Sequence, residues 1–395
     1  MKFPRRNVLI FCVFYLAYTA IYIARLNLTV ANPVLVPDLM SSAGFGLLGS
    51  VFSVVYAAGR LLNGALADRV RPAWMIGIGL FFTGAGNFAL SFLPPYAGFL
   101  VLWALNAYAQ SMLWSAMLRA ISDLFDLRTA KRLSSILGTA VAVGNILGIL
   151  LNTSIVARIG LSYVFLIPAL SALFFCLAVL LVSSGVKGQP VGERATGSFF
   201  GLLKSREIRA ILPPILCHGV MKDNISLWMT AYFVAVFGID LKQSAWFVVF
   251  IPLVGLAGRL LYPLCFRLAR EREHLVSQGA FVVCLFSSVV LCLSPSAILA
   301  AICLSLIYAA VSIINTSVLA IYPLRFSESG NVASVSGLTD FSTYLGAGIS
   351  GWLYGYLIGS FGYFPMFLSW AILAVVGFAL LAVFRRKFEP APLSA

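Results

Sequence analysis

Long apolar runs alternate with short polar connections along almost the whole chain. A helix needs about 20 mostly apolar residues to cross the hydrocarbon core of a bilayer, and these runs have that length without the alternation of barrel strands. The pattern predicts an all-α membrane protein with twelve transmembrane helices. The predicted spans cover residues 8–36, 44–66, 73–93, 96–121, 133–157, 161–183, 210–236, 244–266, 275–293, 296–322, 332–358 and 362–384.

A longer polar segment separates the sixth predicted span from the seventh. We therefore predict an N-terminal six-helix bundle over 1–183, a cytoplasmic linker over 184–209 and a C-terminal six-helix bundle over 210–395. The division leaves two bundles of similar length, as an internal repeat would require.

The two halves do carry a repeated pattern. Ala58–Leu62 in the second span recurs as Ala257–Leu261 in the eighth, 199 residues later. The same displacement relates the Ser-x-x-Gly pattern at 135–138 in the fifth span to the one at 334–337 in the eleventh. Parallel repeats of six helices predict two pseudo-symmetric bundles, with the substrate path between them near the middle of the membrane.

The composition excludes a water-soluble enzyme. Hydrophobic residues make up 61% of the chain and charged residues only 10%, with a mean hydropathy of +0.99, whereas soluble proteins carry about 25% charged residues. The sequence also lacks a Ser/His/Asp trio, a metal-ligand cluster, a P-loop and a dinucleotide fingerprint. We expect neither an enzyme nor a bound cofactor or metal.

Basic residues are concentrated in the loops on one predicted side of the membrane. The chain has 27 Lys and Arg against 13 Asp and Glu. With the N-terminus in the cytoplasm, only Arg158 and Lys242 among the loop cations fall outside, as the positive-inside rule requires. We therefore expect an integral protein of the bacterial inner (plasma) membrane, with both termini cytoplasmic and no nucleic-acid partner.

The loop after the second span resembles a known family signature. In Gly64–Arg71, the order of Asp68, Arg69 and Arg71 resembles the cytoplasmic loop signature of the major facilitator superfamily. The counterpart near Arg267–Arg270 is degraded and lacks the acidic residue. The resemblance covers essentially the whole chain and implies the major facilitator fold.

A narrower likeness concerns the polar residues of the spans. Tyr22–Pro33 resembles the first helix of the organophosphate:phosphate antiporters and of the related anion:cation symporters, which place an arginine before a short Asn-containing segment. Lys222 stands where the organophosphate group has its second substrate-binding arginine. Two positions depart from that group: Val141 replaces a histidine of glycerol-phosphate carriers, and Asp340 replaces a small residue. Further similar positions are Tyr56, Arg60, Gln110, Trp114, Arg119, Trp228 and Tyr232.

Charges within the spans normally mark a cavity or pathway, because a charge facing lipid costs several kcal/mol. The sequence places seven there, five basic and two acidic, so a net positive interior favours an anionic substrate. These charges are Arg25, Arg60, Arg119, Lys222, Asp223, Arg259 and Asp340.

Arg25 and Lys222 are the predicted centre of substrate binding, one from each half. Tyr18 and Tyr22 precede Arg25 on the same helical face, and its guanidinium offers paired donors to a phosphate or carboxylate. Arg25 could instead form an interhelical salt bridge, and Lys222 could simply pair with Asp223 or Asp340. The predicted substrate-binding residues are Arg25, Lys222, Tyr18, Tyr22, Asn27 and Asn224.

Two further residues are candidates for proton coupling or charge balance. Asp340 could neutralise Lys222 or Arg25, carry a coupling proton, or make only an interhelical hydrogen bond. His218 could relay protons or serve only in packing. Predicted gate or structural residues are Asp68, Arg69, Arg60, Arg119 and Arg259.

Together these features predict a secondary active transporter of a small organic anion that works by alternating access. The anion is a phosphate ester or a sugar acid (carboxylate), moved by antiport with phosphate or by proton symport. Two alternatives remain: a proton-driven drug or lipid exporter, and a non-transporting anion sensor of the same fold. The expected partners are the anion, phosphate or a proton as coupling ion, and the lipid bilayer, and we expect a monomer.

Overall fold

The computed structural model describes residues 5–67, 70–125, 127–183, 204–270, 272–293, 296–322 and 332–383. Within these ranges the chain forms thirteen α-helices and one π-helical segment, Thr316–Ile321, which continues α11. The first seven helices are α1 Arg5–Asp38, α2 Ser42–Ala67, α3 Pro72–Leu90, α4 Tyr96–Ser111, α5 Leu113–Leu124, α6 Leu127–Arg158 and α7 Leu161–Val182. The remaining six are α8 Arg206–Phe237, α9 Leu241–Leu268, α10 Glu273–Cys292, α11 Ala297–Asn315, α12 Val332–Phe361 and α13 Phe364–Val383.

The prediction of twelve spans in an all-α fold is confirmed, because α4 and α5 together form the fourth span. Nine helices in the described ranges are long and apolar enough to cross a membrane by length and composition alone. The other three spans fall below that measure for physical reasons. The fourth is divided at Met112 into helices of 16 and 12 residues, while α8 and α12 carry polar residues such as Lys222 and Asp340.

Two parts of the sequence analysis concern residues outside these ranges. Asp68 and Arg69, the predicted gate residues of the second loop, lie outside the described residues. The predicted linker 184–209 is described only from residue 204, and α8 begins at Arg206 within it. The boundaries of the two bundles at this linker therefore remain predictions.

Most helix packing lies within each half of the chain. In the first half, α1 packs against α6, and α3 against α7; in the second half, α8 packs against α12, α9 against α11, and α10 against α13. Among the described residues, the halves meet mainly where α2 packs against α12, α6 against α9, and α1 against α8. We call the first two the α2–α12 seam and the α6–α9 seam. They are related by the 199-residue repeat.

Small residues bring α2 and α12 into direct backbone contact. A Cβ atom added to Gly46 would overlap the carbonyl oxygen of Gly351. Close by, the backbone N–H of Trp352 donates to the Ser50 hydroxyl at 2.7 Å. Such close approach is typical of small-residue interfaces between membrane helices, and it forms one wall of the space between the halves.

Candidate functional site

A cavity lies between the two halves, close to the predicted binding residues. It is partly open, and its walls come from α1, α2 and α4 of the first half and from α8 and α12 of the second. We call it the central cavity. Its lining residues are Arg25, Leu26, Leu28, Thr29, Gly49, Phe52, Ser53, Trp103, Asp223, Asn224, Ser226, Leu227, Tyr344 and Ala347.

Arg25 provides the positive charge of this cavity. Its guanidinium carbon lies 4.7 Å from the ring centre of Tyr22, 4.6 Å from that of Tyr56 and 5.2 Å from that of Phe52. Aromatic faces attract a cation without neutralising it. Among the described residues, no carboxylate forms an ion pair with Arg25. The guanidinium therefore keeps its charge available to an anion in the cavity.

A chain of amide side chains holds Arg25 in position. Its Nε donates to Gln110 Oε1 at 2.9 Å, and Gln110 Nε2 donates to Asn106 Oδ1 at 3.1 Å. Asn106 Oδ1 also accepts from Asn87 Nδ2 at 3.4 Å, and Asn87 Oδ1 accepts from Asn27 Nδ2 at 2.7 Å. Buried networks of this kind fix the geometry of their members. Asn27 is thus fully buried against α3 and does not line the central cavity.

The predicted tyrosines of α1 have different surroundings. Tyr22 contacts the guanidinium, whereas Tyr18 is buried with its ring 5.3 Å from Tyr22 and 5.4 Å from Trp114, measured between ring centres. α1 lies close to α6 here because Gly144 has no side chain. A Cβ atom there would lie 2.5 Å from the Cβ of Tyr22. Tyr18 therefore packs against Tyr22, and of these two tyrosines only Tyr22 contacts Arg25.

In the second half, the cation predicted to face Arg25 is paired with its neighbour. Lys222 Nζ lies 3.0 Å from Asp223 Oδ1 and 5.1 Å from the ring centre of Tyr344. Asp223, rather than Lys222, lines the central cavity. Asn224 also lines it, while its Nδ2 donates to Ser350 Oγ at 2.7 Å. This side of the cavity therefore presents a carboxylate and an amide.

Two layers of contacts cross the α2–α12 seam beside Arg25. The rings of Tyr56 and Tyr344 lie 4.9 Å apart between centres. One helical turn further along each helix, Arg60 Nη2 and Asp340 Oδ2 form an ion pair at 2.7 Å. The side chains of this pair are only 19% and 23% exposed. Asp340 therefore balances Arg60 across the seam, rather than Arg25 or Lys222.

The sequence pattern of the Major Facilitator Superfamily matches residues 14–351, well over half of the chain. The chain belongs to the Major Facilitator Superfamily. It is accordingly an integral membrane protein of a transporter fold rather than an enzyme. A crystal structure of a bacterial homolog to the human lysosomal transporter Spinster, in an inward-facing and unoccupied conformation, superimposes with a TM-score of 0.78. The alignment covers 99% of this chain and 100% of that one at 15% identity, a likeness of fold alone.

Curated relatives agree with the organophosphate branch. The Membrane sensor protein UhpC of Salmonella typhimurium is 32% identical over 28% of this chain, and the match spans only 24% of that relative's length. The Phosphoglycerate transporter protein of the same organism is 26% identical over 89% of this chain and 83% of that protein. The resemblance inferred from the residues of the spans is thus confirmed at the level of the family and branch.

The remaining candidates of this superfamily member lie outside the central cavity. His218 is fully buried, with Nε2 at 2.9 Å from the carbonyl oxygen of Val311, so that nitrogen carries a proton and donates it. Arg119 donates to the carbonyl oxygen of Ala67 and lies 3.7 Å from Asp123. Arg259 lines a separate cavity beside α6.

Sequence analysis did not assign several side chains that shape the site. Gln110 and Tyr56 are noted there only as similar to the organophosphate group. Asp223 is counted among the span charges that mark a pathway, but its only assigned role is to neutralise Lys222. Phe52 carries no such signal, because an isolated phenylalanine in a span is indistinguishable from a lipid-facing one.

Proposed function

We propose that this protein is a secondary active transporter of a small phosphorylated organic anion, with Arg25 binding the anionic group. The observation that carries the proposal is the guanidinium of Arg25, which lines the central cavity between the halves and forms no ion pair with any described residue. The likeness to the Phosphoglycerate transporter protein, which extends over 89% of the chain, supports a phosphorylated substrate.

The chemistry of the cavity suits an anion with a polar organic part. Arginine offers paired N–H donors in a plane, which match the oxygens of a phosphate or carboxylate. Opposite it, the oxygens of Asp223 and Asn224 can accept hydrogen bonds from hydroxyl groups. Because Lys222 balances Asp223, Arg25 supplies the uncompensated charge of the walls. Such a cavity favours a solute with a single anionic group facing α1.

Movement of the solute is expected to follow from rocking of residues 1–183 against residues 210–395 around the cavity. Energy comes from exchange for inorganic phosphate or from cotransport of a proton, and Asp340 is the candidate proton carrier because its ion pair crosses between the halves. We further propose that both termini face the cytoplasm of a bacterial inner membrane and that the protein works as a monomer.

Uptake into proteoliposomes tests the proposal directly. Purified protein is reconstituted in vesicles that are empty or loaded with phosphate, with and without an inward proton gradient. The solutes are 3-phosphoglycerate, glycerol 3-phosphate, glucose 6-phosphate and gluconate. Uptake of a phosphate ester that requires internal phosphate supports antiport, and acceleration by the proton gradient supports symport. Uptake of gluconate alone would contradict a phosphorylated substrate.

Arg25→Ala is expected to lower uptake at least about 100-fold, because the anion loses a charge-assisted pair of hydrogen bonds worth several kcal/mol in a site shielded from water. The matched control is Arg158→Ala, which removes the same charge from an exposed position at the end of α6. Size-exclusion profiles and thermal unfolding must show that both variants fold. Normal uptake by folded Arg25→Ala protein would refute the assignment.

A second function is favoured by one relative. Because the Membrane sensor protein UhpC is among the most similar curated proteins, the chain could bind its anion without carrying it across the membrane. Equilibrium binding of a radiolabelled phosphate ester, measured beside flux on the same preparation, separates the two. Saturable binding that Arg25→Ala abolishes, with no flux under any gradient, would identify a sensor.

A further inference from the structure

The two seams between the halves share an arginine and differ at three equivalent positions near it. The 199-residue repeat relates Arg60 of α2 to Arg259 of α9. In the α2–α12 seam, Asp340 and Tyr56 contact Arg60, and Tyr344 packs on Tyr56. Tyr56 corresponds to Gly255, Asp340 to Val141 and Tyr344 to Asn145. Two of these replacements remove an aromatic ring, and the third removes the balancing carboxylate.

The structure shows the consequence in the α6–α9 seam. Where the α2–α12 seam is filled by two rings and an ion pair, the α6–α9 seam contains a small, partly open cavity. Val141 and Asn145 of α6, Gly255 and Arg259 of α9, and Tyr308 and Ser312 of α11 all line it. We call it the side cavity.

The polar side chains that line the side cavity have no hydrogen-bond or ion-pair partner among the described residues. Across the ranges that the structure describes, the side chains of Arg259, Asn145, Tyr308 and Ser312 form no hydrogen bond and no ion pair with one another or with other residues. All four can donate a hydrogen bond, and no carboxylate lines the cavity. Burying a guanidinium without an opposite charge in a helical bundle costs free energy. Water and a bound anion in the side cavity would lower that cost.

We propose that the side cavity is a second oxyanion-binding site, in which Arg259 holds a phosphate or carboxylate group with help from Asn145, Tyr308 and Ser312. This proposal deepens the function proposed above. The bound group is either a second anionic group of the transported solute or a separate inorganic phosphate. Either oxyanion would make the same contacts with Arg259. The two are distinguished by which solutes show altered transport when the site is changed.

A third cavity borders both the central cavity and the side cavity. This cavity, which we call the connecting cavity, shares Leu26, Thr29 and Ser226 with the central cavity. It shares Asn145, Pro252 and Tyr308 with the side cavity. An anion held at Arg259 therefore adjoins the same space between the halves as an anion held at Arg25.

The test introduces a carboxylate into the α6–α9 seam at the position that corresponds to Asp340. Val141 lines the side cavity with Arg259 and corresponds to Asp340, so Val141→Asp supplies an internal partner for the guanidinium. Binding of radiolabelled inorganic phosphate is measured on the purified full chain carrying Arg25→Ala, which removes the central site. Adding Val141→Asp, or separately Arg259→Gln, should weaken the remaining phosphate binding at least about tenfold. Val141→Asn, of equal size but uncharged, should leave it within about twofold.

Three outcomes would overturn the proposal: no phosphate binding by folded Arg25→Ala protein, equal binding by the Val141→Asp and Val141→Asn variants, or unchanged binding after Arg259→Gln. If the Val141→Asp variant does not fold, phosphate binding by the Arg259→Gln variant alone tests the proposal. Failure of the proposed transport function is distinguishable, because it would appear as absent flux with this binding intact.

A transport arm, in protein that keeps Arg25, separates the two sources of the oxyanion. If the site holds the second group of the solute, Val141→Asp raises the KM for 3-phosphoglycerate, which has two anionic groups, and not that for glycerol 3-phosphate, which has one. If it holds separate phosphate, uptake of both solutes in exchange for phosphate falls equally. No change in either measurement would contradict a role for the site in transport.

Discussion

The α2–α12 seam and the α6–α9 seam occupy equivalent places in the two repeats, yet they hold the halves together by different means. In the α2–α12 seam, backbone meets backbone at Gly46 and Gly351, and further along the helices Arg60 pairs with Asp340. In the α6–α9 seam, the helices are in contact but leave cavities between them, and Arg259 has no carboxylate partner among the described residues.

The difference shows how a duplicated backbone acquires two chemistries. The long apolar runs, which both halves share, place the helices at equivalent positions, so each seam joins the same pair of repeat-related helices. A few side chains then decide whether the space between two helices is filled and neutral or hollow and cationic. Substitutions at equivalent positions should consequently have unequal effects, since one seam has no room and the other has space to adjust.

The largest effect is expected for Gly46→Ala. The added Cβ would overlap the carbonyl oxygen of Gly351 and lie 3.0 Å from the Cα of Gly355. Because these are backbone atoms of a long helix, α2 and α12 must separate, and we expect a loss of about 3 kcal/mol in stability, at the upper end of typical overpacking costs. Thermal unfolding of the detergent-solubilised protein measures it.

The control for Gly46→Ala is Gly279→Ala on α10, where no described atom lies within 4 Å of an added Cβ. The control should leave the unfolding temperature unchanged. Equal stability of the two variants would mean that the α2–α12 seam is not closely packed, and the contrast between the seams would disappear.

A smaller effect is expected for Asp340→Asn, which removes the charge that balances Arg60. Leaving one partner of a largely buried ion pair without the other costs about 1–3 kcal/mol when the site is partly open to water, as here. The side-chain exposures of 19% and 23% place the pair in that range. Thermal unfolding of Asp340→Asn, Arg60→Gln and the double variant completes the cycle. The double variant should cost less than the sum of the single ones, and simple additivity would argue that the pair contributes nothing across the seam.

The fold was largely predictable because hydropathy follows the bilayer. The last span was predicted over 362–384, and α13 runs from Phe364 to Val383. The seventh began four residues late, at 210, because Arg206 and Glu207 in the first turn of α8 interrupt the apolar run. The division of the fourth span at Met112 had no such signal, since Met112 and Leu113 are apolar and neither glycine nor proline lies beside them.

The binding site was predictable only in part. Arg25 was found because a charge inside a span is conspicuous. Asn27 was expected beside it, although two residues along a helix correspond to about 200° of rotation and therefore to the opposite face. This geometry alone predicts that Asn27 faces other helices. The hydrogen bond from Asn27 to Asn87 of α3 agrees with that prediction. The ion-pair partner of Asp340 could not be predicted from the sequence. Arg25, Lys222 and Arg60 all lie within spans, and only the helix packing shows that Arg60 is the one beside Asp340.

The smallest effect is expected for Gly255→Ala, where α9 meets α11 at the edge of the side cavity. The added Cβ would overlap the ring of Tyr308, but that ring borders the side cavity and can turn into it. One turn away on the same helix, a Cβ at Gly258 would lie 2.7 Å from the carbonyl oxygen of Ala309, which is backbone and cannot turn aside. We therefore expect Gly255→Ala to cost less than about 1 kcal/mol and Gly258→Ala to cost about 2 kcal/mol or more in thermal unfolding. Equal losses at the two glycines would mean that the side cavity offers Tyr308 no room, and the α6–α9 seam would then be as rigid as its counterpart.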